Sequence, residues 1–265
     1  MKTNQYSYSK INLFNSCSLK YKFLYIDKNY KKDESIEAFL GKMIHQTLEW
    51  IYMQKLKKKR SYYSLDSIIH FFKEEWKDNW HYNIRRFKYN KQTKSNYFTR
   101  GSNFLVKYYQ SFGPYFDQKV FKVEEKFQFK LGDYNIKAII DRIDKDSDSM
   151  MHIIDYKTGK NMLDKKKLKK DMQMGIYALA LASQFPEINI KLSHYYVAMN
   201  QMISIDSADL DMNLFSLSLI ENIKIIEDSE KKDIFIANES KLCNWCYYWK
   251  ECPIKSDNHP SEYLK

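Results

Sequence analysis

No stretch of about 18 apolar residues occurs in this 265-residue chain, so no helix is expected to span a membrane. The opening "MKTNQYSYSK" lacks the apolar core of a secretory leader. The expectation is a cytoplasmic protein, bacterial or acting in a host cytoplasm if viral. No Gly-x-x-x-x-Gly-Lys-Ser/Thr loop is present, which excludes a built-in NTP-driven motor of that type. No internal repeat is visible. Glycine and proline number only six and four, while Lys, Asn, Ile and Tyr abound. Base composition can impose such a bias, so lysine abundance alone identifies no partner. Acids are nonetheless outnumbered, 33 against 44 Lys and Arg, giving +11, a balance that suits a polyanion. Cysteines number four, three of them crowded into "CNWCYYWKEC". A reducing compartment would not keep them as disulfides, so a metal is the leading use.

What is present has a readable order. Residues 9–26 and 35–56 carry apolar residues at helical spacing, with Leu40, Ile44, Leu48 and Ile51 on one stripe of the second. Residues 65–90 and 97–112 read as basic, aromatic helices, closed by Gly113-Pro114. The period then falls to two. Phe121, Val123, Phe127 and Phe129 alternate in a first strand; residues 134–144 and "MHIIDYK" form the second and third. A helix follows over "MQMGIYALALASQF", then a fourth strand, "INIKLSHYYVAM", and a helix over 210–230. The fold class is α/β: a three-strand meander, a helix and a fourth strand, with a helical insert. We expect a single domain over 1–265, with an N-terminal helical part (1–34), an insert (50–115), a core sheet and helix (116–200) and a Cys-rich tail (236–265).

The second and third strands pose a chemical question. A hairpin turn centred on residue 148 sets Asp141 opposite Asp155, on one face with Cβ atoms about 5 Å apart. Lys157 shares that face, because strand side chains repeat every two residues. Two carboxylates so close raise each other's pKa unless a cation sits between them. A hard divalent ion, held by carboxylates and substrate phosphate, relieves the conflict. The neighbouring lysine can then orient or deprotonate a water, or stabilise charge on phosphate. Taken alone, Asp-x-Lys also fits an ordinary salt-bridged hairpin end.

The surrounding motifs resemble the PD-(D/E)XK nuclease superfamily, specifically its RecB-like branch. "GKMIH" (41–45) looks like the Gly-x-x-x-His helix motif, and "VEEKF" (123–127) like the first-strand Glu motif. "AIIDRID" (138–144) looks like the Gly-x-x-Asp-Arg-Ile-Asp strand, with Ala138 in place of the glycine. "DYKTGK" (155–160) looks like Asp-x-Lys, and "QMGIYALAL" (173–181) like the Gln-x-x-x-Tyr helix. The resemblance implies a restriction-endonuclease-like core binding Mg²⁺ or Mn²⁺ through His45, Asp141, Asp155 and the carbonyl of Tyr156. It implies Lys157 as catalytic lysine, Glu124 rather than Glu125 as accessory acid, and Gln173 and Tyr177 as supports of the site or DNA contacts. His70, His81, His152 and His194 lie in no motif and read as structural.

Cys243-x2-Cys246-x5-Cys252 fits zinc or an iron–sulfur cluster by ligand type alone. The segment "YSYSKINLFNSCSLKYKF" (6–23) resembles the opening of iron–sulfur members of the branch, AddB-type helicase–nuclease subunits and CRISPR-associated nucleases, with Ser18 where proline is usual. The resemblance implies that Cys17, Cys243, Cys246 and Cys252 bind a 4Fe–4S cluster that staples the two ends together. It further implies DNA as partner, single-stranded or with free ends, an exonuclease activity in repair, recombination, CRISPR-type adaptation or phage DNA processing, and a separate helicase or adaptation protein alongside. The alternatives are a non-catalytic DNA-end-binding subunit and a zinc-stapled RNA nuclease. Two basic runs, "KLKKKR" (55–60) and "DKKKLKKD" (164–171), are expected to meet phosphates, the second beside the site. Insert aromatics, from Trp76 and Trp80 to Tyr97 and Phe98, either stack on bases or pack the insert.

Overall fold

The computed structural model describes residues 5–59, 61–255 and 258–264. Arg60, the last residue of the first basic run, lies outside them. In chain order the elements are β1 (Gln5–Ser7), α1 (Tyr8–Ser16), α2 (Ser18–Tyr21), a π-turn (Lys22–Ile26), β2 (Glu34–Ser35), α3 (Ile36–Leu56), α4 (Leu65–Asp78), β3 (Ile84–Phe87) and α5 (Lys94–Phe112). They continue with β4 (Val120–Leu131), β5 (Tyr134–Ser147), β6 (Met150–Lys157), α6 (Lys165–Leu168), α7 (Met172–Ala182), β7 (Asn189–Tyr196), β8 (Gln201–Asp206), α8 (Met212–Lys232) and β9 (Ser261–Tyr263). No helix among the described residues is long and apolar enough to cross a membrane.

Six strands form one mixed sheet, and helices cover both faces. Because strand side chains alternate, Met151 and Ile153 of β6 enter one core while Ile154 and Tyr156 enter the other. The first core lies under α1, α7 and α8; α7 is apolar nearly all round and is closed in by α8, where Gly175 leaves room for the Phe215 ring. The second lies under α3, α4 and α5. Ser35 caps α3 by accepting from the Ala38 amide, and Phe39, Leu40, Met43, Ile44, Leu48, Ile51 and Tyr52 form its buried stripe.

The β5–β6 hairpin has the register of a turn centred on residue 148. Arg142 pairs with Ile154, Ile143 with Ile153 and Asp144 with His152. β7 then lies parallel to β6 and pairs with β8. The expected helix over 65–90 stops at Asp78; Ile84–Phe87 is instead a strand between β2 and β9. Its partners sit at residues 34–35 and 261–263, so no local pattern signals it. Most insert aromatics pack inward: Trp76, Phe87 and Tyr97 are buried, whereas Tyr82 and Tyr89 are exposed.

Two histidines are buried in the sheet. His152 shares a hydrogen bond with the Ser193 hydroxyl at 2.6 Å, and burial, with Lys191 and Arg142 nearby, pushes its pKa down to about 3. His194 is pushed down to about 3 by burial and by Lys157. An unfolded histidine titrates near 6.5, so between those values the unfolded chain binds the extra protons and stability rises with pH. Stability should therefore fall as pH drops from about 6.5 towards 3, by up to about 1.4 kcal/mol per pH unit for each histidine. Urea unfolding across that range should show His152→Gln with a shallower pH slope than wild type; an unchanged slope would contradict this account.

Candidate active site in a notch of the sheet

β5 shares one edge between two neighbours. β4 occupies its other edge, from Tyr134 to Asp144. On the shared edge β1 pairs with Asn135, Ile136 and Lys137, and β6 takes over only at Arg142. Residues 138–141 between them have no ladder partner on that side. β5 changes face across this notch: Ile136, Ala138 and Ile140 enter the α7 core before it, and Ile143 after it. On β4, Glu124 falls between the pairs Val123↔Arg142 and Glu125↔Ile140, across from Asp141, with φ +48. That left-handed backbone is strained for a residue with a Cβ, the kind of strain that gathers at functional sites.

Four elements fill the notch. Asp141 turns a carboxylate oxygen to accept the backbone amide of Tyr156 at 2.8 Å, replacing the missing ladder bond. α3 comes close because Gly41 has no side chain; a Cβ there would lie 3.1 Å from the Thr158 hydroxyl. One turn later, on the same helical face, His45 donates from Nε2 to the Tyr156 carbonyl at 2.9 Å and sets Nδ1 3.4 Å from Asp141. Ligand atoms of His45, Glu124 and Asp141 all lie within 4.8 Å of one another.

A second constellation adjoins the first. Lys157 sits 2.7 Å from an Asp155 oxygen and donates to the Gln173 carbonyl at 2.7 Å. Gln173 in turn donates to the Tyr177 hydroxyl, and Tyr177 donates to the other Asp155 oxygen at 3.3 Å. The circuit is closed: lysine, amide, phenol, carboxylate. Gln173 and Tyr177 reach it together because they lie one turn apart on α7. Between Asp155 and Lys157, Tyr156 points to the opposite face. There its hydroxyl and that of Tyr108 each accept from Arg142 at 2.9 Å, and Arg142 donates to one Asp144 oxygen at 3.0 Å while its Nε lies 3.0 Å from the other in an ion-pair contact.

The charges are crowded. Burial raises the pKa of Asp155, and Asp141 raises it further, against the pull of Lys157. Burial, with Asp141 and Glu49 adding, lifts Glu124 to about 7. Burial opposes a charge on His45, but Asp141 outweighs it, and the ring is raised to about 9. His45 is thus an imidazolium at neutral pH, with one N–H on a carbonyl and the other facing a carboxylate. Asp155 also keeps a buried oxygen with no aligned hydrogen-bond donor, although Lys157 is close. Oxygen-rich donors in excess of local cations suit a hard divalent ion, and the residues present fit one. Four neighbouring side chains receive no role from the motif resemblance. Glu49 stands one turn beyond His45, a spacing that could have flagged it. His194 pairs with Asp155 across the β6–β7 ladder, its Nε2 3.8 Å from the carboxylate. Arg142 and Asp144 lie within the motif strand itself.

The family model of the PD-(D/E)XK nuclease superfamily matches residues 5–253. The chain belongs to this superfamily. Its members are nucleases, and the match takes in every residue of the notch. A solved structure from Eubacterium rectale, named "putative exonuclease", is similar at 11% identity over 95% of this chain and 89% of its own, with a TM-score of 0.53. That likeness is one of fold. A second, SSO0001, has 16% identity over 90% of this chain and 96% of its own, but a TM-score of 0.33, and carries no argument. No curated protein matches in sequence.

The nuclease's cysteines lie elsewhere. Cys17 interrupts the chain between α1 and α2, and there the N-terminal helices are laced to the tail: Ser18 both donates to and accepts from the Ile236 backbone, and Asn238 donates to the Ser16 carbonyl. Cys17, Cys243 and Cys246 line one cavity of about 310 Å³; Cys252 is not among its walls. No three of the sulfurs lie within 4.8 Å of one another. A tetrahedral zinc with bonds of about 2.3 Å needs them nearer, at about 3.8 Å. The sulfurs are thus not gathered for a single tetrahedral ion; three of the four expected thiols share the cavity, and Cys252 stands outside its lining.

Replacing Glu124 by glycine should relieve both the positive φ and one crowded carboxyl. In EDTA, Glu124→Gly should be more stable than wild type by about 1 kcal/mol in urea unfolding. A variant less stable than wild type would refute the assignment of strain.

Proposed function

We propose that this chain is a RecB-like deoxyribonuclease, dependent on Mg²⁺ or Mn²⁺, that trims DNA from single-stranded ends. One observation carries the reading: the closed Lys157–Gln173–Tyr177–Asp155 circuit lies beside the convergent donors of His45, Glu124 and Asp141. A surface salt bridge would need neither the buried carboxylate nor the amide and phenol that fix the lysine. The groups that would hold the ion are His45, Asp141, Asp155 and the Tyr156 carbonyl. When bound, such an ion supplies positive charge to polarise the scissile phosphate and lowers the pKa of water.

The remaining roles belong to side chains. Burial disfavours the Lys157 charge, but Asp155 outweighs it and raises the pKa. Lys157 is therefore an ammonium donor that orients the attacking water and stabilises charge on the phosphate oxygens, not the base. Glu124, with a pKa of about 7, can take up the proton released near neutrality. Gln173 and Tyr177 fix the direction of the lysine. Residues 116–200 are the catalytic core in this reading, and 50–115 an insert on it. The exonuclease name of the Eubacterium rectale protein points the same way on end-trimming.

The cavity at Cys17, Cys243 and Cys246 is where we place the iron–sulfur cluster, Cys252 closing it from the tail. Burial raises the Cys246 thiol pKa, and a metal would hold it as thiolate. Anaerobically purified protein should be coloured and contain iron, and Cys246→Ser should lose both; zinc in place of iron would refute the cluster.

The catalytic reading is tested on end-labelled single- and double-stranded DNA with Mn²⁺. Lys157→Ala should cut single-stranded ends about 10²- to 10³-fold more slowly, compared at a temperature where both proteins are folded. Equal cleavage by both proteins would remove the mechanism.

A further inference from the structure

From Ile84 to Phe116 the sequence contains no Asp or Glu, yet seven Lys or Arg, in a chain that elsewhere carries 33 acids. α5 lies in this stretch. Its inner face, with Tyr97, Gly101, Phe104, Leu105 and Tyr108, is buried. Its outer face borders an open groove of about 940 Å³ lined by Lys91, Arg100, Asn103, Lys107 and Gln110 among others. Arg100, Asn103, Lys107 and Gln110 follow one another at steps of three and four, so they form one stripe along the helix.

The cations lining the groove at Lys91, Arg100 and Lys107 are held by neutral groups. Lys91 donates to the Lys88 carbonyl, Arg100 donates to Gln92 and lies over the Tyr97 ring, and Lys107 donates to the Ala198 carbonyl. None of the three has an ion-pair partner among the described residues. A solvated helix face normally interleaves both signs of charge; this one offers only cations and amides. Arg100 and Lys107 stand about 10 Å apart along the axis, far enough to meet separate phosphates of one strand. The lower end of the groove abuts the active-site strand. The Val197 amide donates to the Lys157 carbonyl, and the next residue, Ala198, receives Lys107.

We propose that the outer face of α5 is a DNA-backbone track, which holds the strand beyond the site by its phosphates and without regard to sequence. The proposal rests on the nuclease reading for its substrate, but its test does not depend on cleavage. Binding of a 5′-labelled single-stranded oligonucleotide of roughly 30 residues, long enough to cover site and groove, is measured in EDTA across a salt series. Arg100→Gln/Lys107→Gln is compared with wild type and with the charge-conserving Arg100→Lys/Lys107→Arg.

Loss of two phosphate contacts to single-stranded DNA should flatten the log–log salt dependence by about 1.4 and weaken binding on the order of 10-fold near 0.1 M salt. The conserving pair should keep the wild-type slope. Hydrolysis of bis(p-nitrophenyl) phosphate, too small to reach α5, should be the same in all three proteins. Identical affinity and slope in the neutral variant would overturn the track, as would failure of wild type to bind the oligonucleotide. Should wild type hydrolyse no phosphodiester while the neutral variant still loses slope, the nuclease reading falls and the track stands.

Discussion

β5 lends one edge to two partners, and residues 138–141, left between them, belong to neither ladder. Every part of the candidate site follows from that gap. An uninterrupted ladder would use the Tyr156 amide for a backbone bond; here Asp141 takes it and is fixed by it. The gap also admits α3 from one face and α7 from the other, so that His45 and Gln173, on opposite sides of the sheet, act within one strand end. The kink is taken up by the left-handed backbone of Glu124 on β4, directly across from Asp141.

The notch also explains the electrostatics. Three carboxyls meet where water is largely excluded; burial first, and their mutual repulsion after it, raises Asp155 and Glu124. Two cations answer them, Lys157 on one side and the protonated ring of His45 on the other. A proton on His45 and a divalent ion are alternative neutralisers of the same charge, since a metal-ligating imidazole must be neutral. Behind the site the Arg142–Asp144 pair is buried, and together with Tyr108 it anchors the Tyr156 hydroxyl. The strand carrying the reactive groups is thus pinned from its far face, which gives first-rank side chains little freedom to drift.

Much of this was legible in the sequence, for a stated reason in each case. Period-two alternation and a turn at residue 148 gave the β5–β6 register, because register in a hairpin is local. Gln173 and Tyr177 were legible as a pair because helical spacing is local too. The strand at Ile84–Phe87 was not, since its identity depends on partners far away in the chain. His194 was missed because its closeness to Asp155 arises from a parallel pairing across a helical crossover, for which no sequence rule fixes the register. The strain at Glu124 left no trace, as the residue reads as an ordinary strand glutamate. The nearness of Cys17 to Cys243 and Cys246 depends on the tail meeting the N-terminal helices, and spacing in the sequence says nothing of how far Cys252 stands from their cavity.

The small sheet of β2, β3 and β9 has a temporal meaning. Residues 34–35 and 84–87 complete their pairing only with residues 261–263. During synthesis the α4–α5 segment emerges long before its third strand exists, so its edge stays open while about 170 further residues are made. Contacts of such long sequence separation form late and slowly, and an unpaired edge on a nascent chain invites mispairing. Maturation of this region therefore waits on residues 261–263, whatever the rest of the chain has already done.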